Sequence, residues 1–154
     1  MPSLILPLSV LVFASSSFAS IEWGQARATG TGCGSQTVQV TADQSRISVD
    51  FDAFKGVERA TCLIALPAKW PKDKVLVVKN LKSRGRNEVG GKLGLEIFAP
   101  GKRGTPQSIE VSKSVMGELF RSNCGEDGML RVNSSLENAS LDQLEADLTL
   151  EACP

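Results

Sequence analysis

The chain has 154 residues, balances 17 Lys and Arg against 17 Asp and Glu, and carries four cysteines but no histidine and no tyrosine. A formal net charge of zero gives no general drive toward nucleic acid or anionic membranes. Without histidine there is no Ser-His-Asp triad and no imidazole metal site, and without tyrosine no phenolic acid or nucleophile.

The first charged side chain is Glu22. Before it, Leu4-Ile5-Leu6 and Leu8 to Phe13 form an apolar run too short to span a bilayer. Small residues follow, and Ser17-x-Ala19 offers the small side chains that a signal peptidase requires, although no Lys or Arg precedes the run. The expected cut lies before Ser20, giving a signal peptide over 1–19 and a single secreted domain over 20–154. No cysteine sits at the cut and no second hydrophobic segment follows, so neither a lipid nor a transmembrane anchor is expected. The product is expected outside the cell or in a periplasm.

Gly30-Thr31-Gly32-Cys33-Gly34 looks like a phosphate loop but leads into a strand pattern and lacks G-x-G-x-x-G spacing. It reads instead as an irregular turn whose glycines accept positive φ beside a disulfide. Beyond it the apolar period is two. Val38 and Val40 alternate, as do Ile47, Val49 and Phe51; Leu93, Leu95 and Ile97; Ile109 and Val111; Leu130 and Val132; and Ala146, Leu148, Leu150 and Ala152. Such alternation marks strands with one buried face. Ala60–Leu66, but for Thr61, and Val75–Val78 are apolar runs, as in strands covered on both sides. Turn signals fall at Ala42-Asp43-Gln44, Pro67, Pro71, Gly90-Gly91, Pro100-Gly101, Gly104-Thr105-Pro106 and Gly125 to Gly128. One helical turn is expected over Lys113–Arg121, with Val115, Leu119 and Phe120 on its apolar face. The expected fold is all-β: a single antiparallel β-sandwich of about eight strands with at most one short helix.

An even number of cysteines in an exported chain reads as two disulfides. Cys33 to Cys62 and Cys124 to Cys153 each span 29 residues. That spacing favours pairing near neighbours, with Cys33–Cys153 plus Cys62–Cys124 as the rival. Zinc is disfavoured, because there is no C-x-x-C pair and no histidine. Asp50 and Asp52 share a strand face, and Gly125-Glu126-Asp127-Gly128 is acidic, yet neither matches a calcium loop. No metal and no cofactor is expected.

Basic residues crowd between Lys69 and Arg103, and acidic ones from Gly104 onward. The candidate ligand-binding residues are Lys82, Arg84 and Arg86, then Lys102 and Arg103, all read as lying on glycine-flexed loops at hairpin tips. Basic loops of this kind cradle sulfate, phosphate or uronate groups, with arginine giving bidentate contacts. They also suit a trypsin-like inhibitory loop, or simply solubilise an edge. Trp70, between Pro67 and Pro71, is either a sugar-stacking platform or a residue packing its loop onto the sandwich. Asn133-Ser134-Ser135 and Asn138-Ala139-Ser140 are glycosylation sequons, expected in an exposed loop. No S-x-x-K and no G-x-S-x-G occurs, so no catalytic residue is assigned.

The ordered set Gly30-Thr31-Gly32-Cys33-Gly34, Asp50-Phe51-Asp52-Ala53-Phe54, Arg59-Ala60-Thr61-Cys62 and Cys124-Gly125 resembles an uncharacterised family of small secreted fungal and bacterial proteins, a domain of unknown function. The resemblance runs from about Thr29 to the C-terminus. It implies a compact secreted β domain with two disulfides and brings no catalytic or binding residue with it. The expected function is a non-catalytic exported binding or surface-associated module, meeting anionic polysaccharide or an envelope or matrix component through its basic residues. A secreted protease inhibitor or protein-targeting effector is the alternative.

Overall fold

The computed structural model describes residues 20–56, 58–125 and 127–154; the expected signal segment 1–19 lies outside them, as do Val57 and Glu126. The described residues form strands and no helix: β1 (Glu22–Trp23), β2 (Arg27–Thr29), β3 (Val38–Ala42), β4 (Arg46–Gly56), β5 (Ala60–Lys69), β6 (Lys74–Ala99), β7 (Lys102–Arg103), β8 (Gln107–Ile109), β9 (Ser114–Arg121) and β10 (Asp127–Ala152). No helix among them is long and apolar enough to cross a membrane.

The architecture follows from β6 and β10, which pair antiparallel from Arg131 opposite Phe98 to Ala152 opposite Lys74. Midway, Glu88–Gly91 of β6 stand opposite Asn138 alone, and Asn138 takes a φ of 47°. Extra residues on one strand bend it and sharpen its twist. The ladder is thereby divided into two half-sheets. The first runs β3-β4-β10-β6-β9 and uses the C-terminal half of β10 with the N-terminal half of β6. The second carries β1 and β2 on β5, then the N-terminal half of β10, the C-terminal half of β6, and β7 and β8. Their apolar faces meet: Ile47, Val78 and Leu144 of the first line the same interior as Leu95, Ile97 and Leu130 of the second. This is an all-β sandwich whose two layers share two strands.

Several expectations change at the level of single elements. Lys113–Arg121 is not a helical turn; Ser114–Arg121 is an edge strand. Its apolar spacing mimics a helix because a bulge at Gly117, with φ 101°, resets the alternation between Val115 and the buried Leu119 and Phe120. Gly90-Gly91 does not end a strand but forms the bulge within β6. The sequons lie within β10 rather than in a loop, since the Asn- and Ser-rich stretch still places Ser134, Leu136 and Ala139 inward. Val75–Val78 is buried on both faces, whereas Thr61, Leu63 and Ala65 of β5 stay half-exposed.

Cys33 is bonded to Cys62 and Cys124 to Cys153, with Cα separations of 5.4 and 5.7 Å. Gly30, Gly32 and Gly34 do not have positive φ. Two of them are needed for close approach instead: a Cβ on Gly30 would lie 2.1 Å from the Thr61 carbonyl oxygen, and one on Gly32 would lie 2.6 Å from the Phe54 ring.

The β3–β4 turn is organised by Asp43, whose Oδ1 accepts from the Ser45 amide (2.7 Å), the Ser45 hydroxyl (3.0 Å) and the Arg46 amide (2.8 Å). The next residue clasps the start of the domain: Gln44 Oε1 accepts from the Ile21 amide (2.6 Å) and its Nε2 donates to the Ile21 carbonyl (2.8 Å). The Ser45 and Arg46 bonds favour the ionised carboxylate and hold Asp43 below the ordinary range. A lowered folded-state value makes this contribution present above the unfolded value and lost as pH falls through the folded one. The Ser45 and Arg46 amide resonances are therefore expected to titrate together, with a midpoint below that of an unperturbed aspartate, and to stop titrating in Asp43→Asn. A midpoint at the ordinary aspartate value would refute this.

Candidate functional site

Lys82, Arg84 and Arg86 are not on a loop; they are alternate residues in the middle of β6. Strand alternation turns Leu81 and Ser83 inward and sends the three cations to the outer face of the first half-sheet, about 6.8 Å apart along the strand. Gly85 is there for proximity rather than flexibility, since a Cβ would lie 2.1 Å from the Ser140 carbonyl oxygen and 2.8 Å from Val111 Cγ1.

Both flanks of this strand are bonded. On one side β10 pairs Arg86 with Ser140, Arg84 with Gln143 and Lys82 with Glu145. On the other, the segment before β9 is stitched on largely through side chains: the Ser83 amide donates to the Lys113 carbonyl (3.1 Å), the Gly85 amide to Ser112 Oγ (3.2 Å), and Asn87 bonds Val111 at both its amide and its carbonyl. Arg84 Nη2 donates to Gln143 Oε1 (2.5 Å), and Gln143 Nε2 donates in turn to Asp50 Oδ1 (2.7 Å) and Ser48 Oγ (3.3 Å). This chain crosses β6, β10 and β4 and fixes the Arg84 head group. Among the described residues no ion pair reaches Lys82, Arg84 or Arg86. Beside Arg86, a surface cleft is lined by Lys55, Ser140 and Glu88 as well.

Lys102 and Arg103 lie elsewhere, not on a loop but as the short strand β7, which folds back on the end of β6 across a turn where Gly101 takes a φ of 73°. Arg103 is committed to Glu96 (2.9 Å) and stands 6.0 Å over the Phe98 ring. The cleft that Lys102 and Arg103 line also holds Arg121, which bridges Glu118 and Glu151 at 2.8 Å each. Arg121 holds the Glu118 carboxyl below the ordinary carboxylate range and is itself raised by both partners. The two basic segments belong to different strands, Lys82, Arg84 and Arg86 to the middle of β6 and Lys102 and Arg103 to β7. Neither presents an extended inhibitory loop: Arg84 is held in a strand bonded on both sides, and Arg103 is paired to Glu96.

Trp70 is 4 % exposed and belongs to the core, so it offers no ring face to a sugar. Among the described aromatics only Trp23 and Phe98 escape full burial, and the Trp23 indole is anchored to the Asp43 carbonyl (2.9 Å). Asp50 is taken up by Gln143, and no described group of acidic residues is arranged to hold a metal ion.

No protein-family model matches the chain, and no curated protein matches it in sequence. Among solved structures, TmCBM61 in complex with β-1,4-galactotriose is 17 % identical with a TM-score of 0.39, over 83 % of this chain and 88 % of that one. A family 11 carbohydrate-binding module from Clostridium thermocellum, in complex with a β-1,3-1,4-mixed-linked tetrasaccharide, is 11 % identical with a TM-score of 0.35, over 90 % and 89 %. A family two carbohydrate esterase from Cellvibrio japonicus is 15 % identical with a TM-score of 0.32; the alignment covers 84 % of this chain but 36 % of the esterase.

Proposed function

We propose that this protein is an exported, non-catalytic binding module that holds an anionic glycan of an envelope or extracellular matrix on the outer face of its first half-sheet. One observation carries the reading: Lys82, Arg84 and Arg86 stand at successive outward positions of one strand, bonded on both flanks, without ion-pair partners among the described residues. A rigid row of cations suits a ligand that repeats its charge along a chain. Fixing Arg84 through Gln143 lowers the ordering cost of bidentate contact with a carboxylate or sulfate. The two disulfides fit an oxidising compartment.

Exposed charge contacts are individually weak and screened by salt. Retention of residues 20–154 on immobilised polygalacturonate or dextran sulfate is therefore expected at low ionic strength and lost at high. The triple reversal Lys82→Glu, Arg84→Glu and Arg86→Glu is expected to weaken binding at least about tenfold, the sum of several such contacts. Reversal of Lys102 and Arg103 should change it much less. Retention that ignores both salt and the triple reversal would overturn the assignment, as would turnover of the polysaccharide.

A further inference from the structure

The outer face of the second half-sheet carries a cleft that the cation row does not reach. Its floor is a row of short side chains across adjacent strands: Thr61 of β5 lies opposite Ser135 of β10, and Ser135 opposite Gly94 of β6. The next row along the strands is taller, with Asn133 opposite Glu96. Pro106 and Gln107 close the β8 end, and Arg59 closes the β5 end. With strands about 4.8 Å apart, the floor extends roughly 10 Å from Thr61 to Gly94, enough for about two linked pyranose rings.

Gly94 makes this a trough. The strand around it, Leu93-Gly94-Leu95-Glu96-Ile97, alternates buried and outward residues, and a side chain at 94 would project into the cleft. A Cβ there would come 2.6 Å from Ser135 Oγ. The polar groups around the floor are largely uncommitted: among the described residues no side-chain hydrogen bond is formed by Asn133, Ser135 or Arg59, while Thr61 Oγ1 shares only Thr31 Oγ1, at 3.3 Å. The one carboxylate, Glu96, is neutralised by Arg103. What faces the cleft is a set of hydroxyls and amides able both to donate and to accept, with a single unpaired charge at one end.

We infer that this trough is a second saccharide site, taking an uncharged oligosaccharide through hydrogen bonds to its hydroxyls. It is independent of the anionic-glycan site in residues, half-sheet and ligand charge. A module with both sites bridges a neutral polymer and an acidic one.

The test is affinity electrophoresis of residues 20–154 through gels containing β-1,4-galactan, mixed-linkage β-glucan or xylan, at a salt concentration that abolishes retention on dextran sulfate. Retardation by at least one neutral polymer is expected. Gly94→Val, which fills the trough, is expected to reduce it at least about tenfold, and Asn133→Ala with Ser135→Ala, which leaves the backbone geometry alone, by several-fold. The triple reversal at Lys82, Arg84 and Arg86 should leave it unchanged. Absence of retardation in all three gels would overturn the inference while leaving polyanion binding intact. Retardation insensitive to Gly94→Val and to the Asn133 and Ser135 pair would also overturn it.

Discussion

Replacing Cys33 and Cys62 together by alanine is expected to lower the free energy of unfolding by about 3.5 kcal/mol from loop entropy alone, for a closed loop of 29 residues. The Cys124–Cys153 bond closes a loop of the same length, so a purely entropic account assigns the two removals equal cost. The packing differs. Cys62 is fully buried, at 0 % exposure, whereas Cys153 is half-exposed at the C-terminus. Deleting the Cys62 sulfur also removes interior contacts, and the first double variant should be the less stable by roughly a further 1 kcal/mol. Urea unfolding of both variants measures the difference. Equal midpoints with equal slopes would show that the Cys33 loop gains nothing from its packing.

Phe54→Ala is expected to cost about 3–5 kcal/mol, the range for deleting a buried aromatic ring. Phe54 is 1 % exposed, lies opposite Leu141 across the β4–β10 ladder and has its ring centroid 5.2 Å from that of Phe51. It is also the surface on which the Cys33 loop rests, through Gly32. The two perturbations share a contact, so their combined cost should fall short of the sum, as coupled neighbours do. Strict additivity in the double-mutant cycle would mean that the loop does not depend on the ring.

The fold class was legible because alternation survives where one face is buried: Ile47, Val49 and Phe51, or Leu93, Leu95 and Ile97, can be read directly as strand faces. Continuity was not. Gly90-Gly91 has the composition of a turn, yet the chain passes through it without leaving its partner strand, because the opposing strand bends at Asn138 as well. Local composition carries no information about a partner that lies far along the chain. The same limit governs the site. Lys82, Arg84 and Arg86 stood out by charge, but their glycine neighbour read as loop flexibility when it marks close approach to Ser140. The commitment of Arg103 depends on pairing to Glu96, which no local pattern announces. For the trough the one signal was Gly94 interrupting an otherwise regular strand, a cue for a close approach or a gap above the sheet.

The two disulfides have a mechanical consequence for any load carried along the chain. Tension applied at the C-terminus passes from Cys153 to Cys124 through the covalent bond, and the whole of β10 is bypassed. Tension arriving from the N-terminal side passes from Cys33 to Cys62 and bypasses β3 and β4. Each bond withholds roughly 100 Å of contour length from stretching. Among the described residues the segments 20–33 and 62–124 are left to extend, and β6, which bears the cation row, lies in the second of them. Its partner β10 stays slack, so a load on the module shears one strand of the central ladder past another that is not itself under tension.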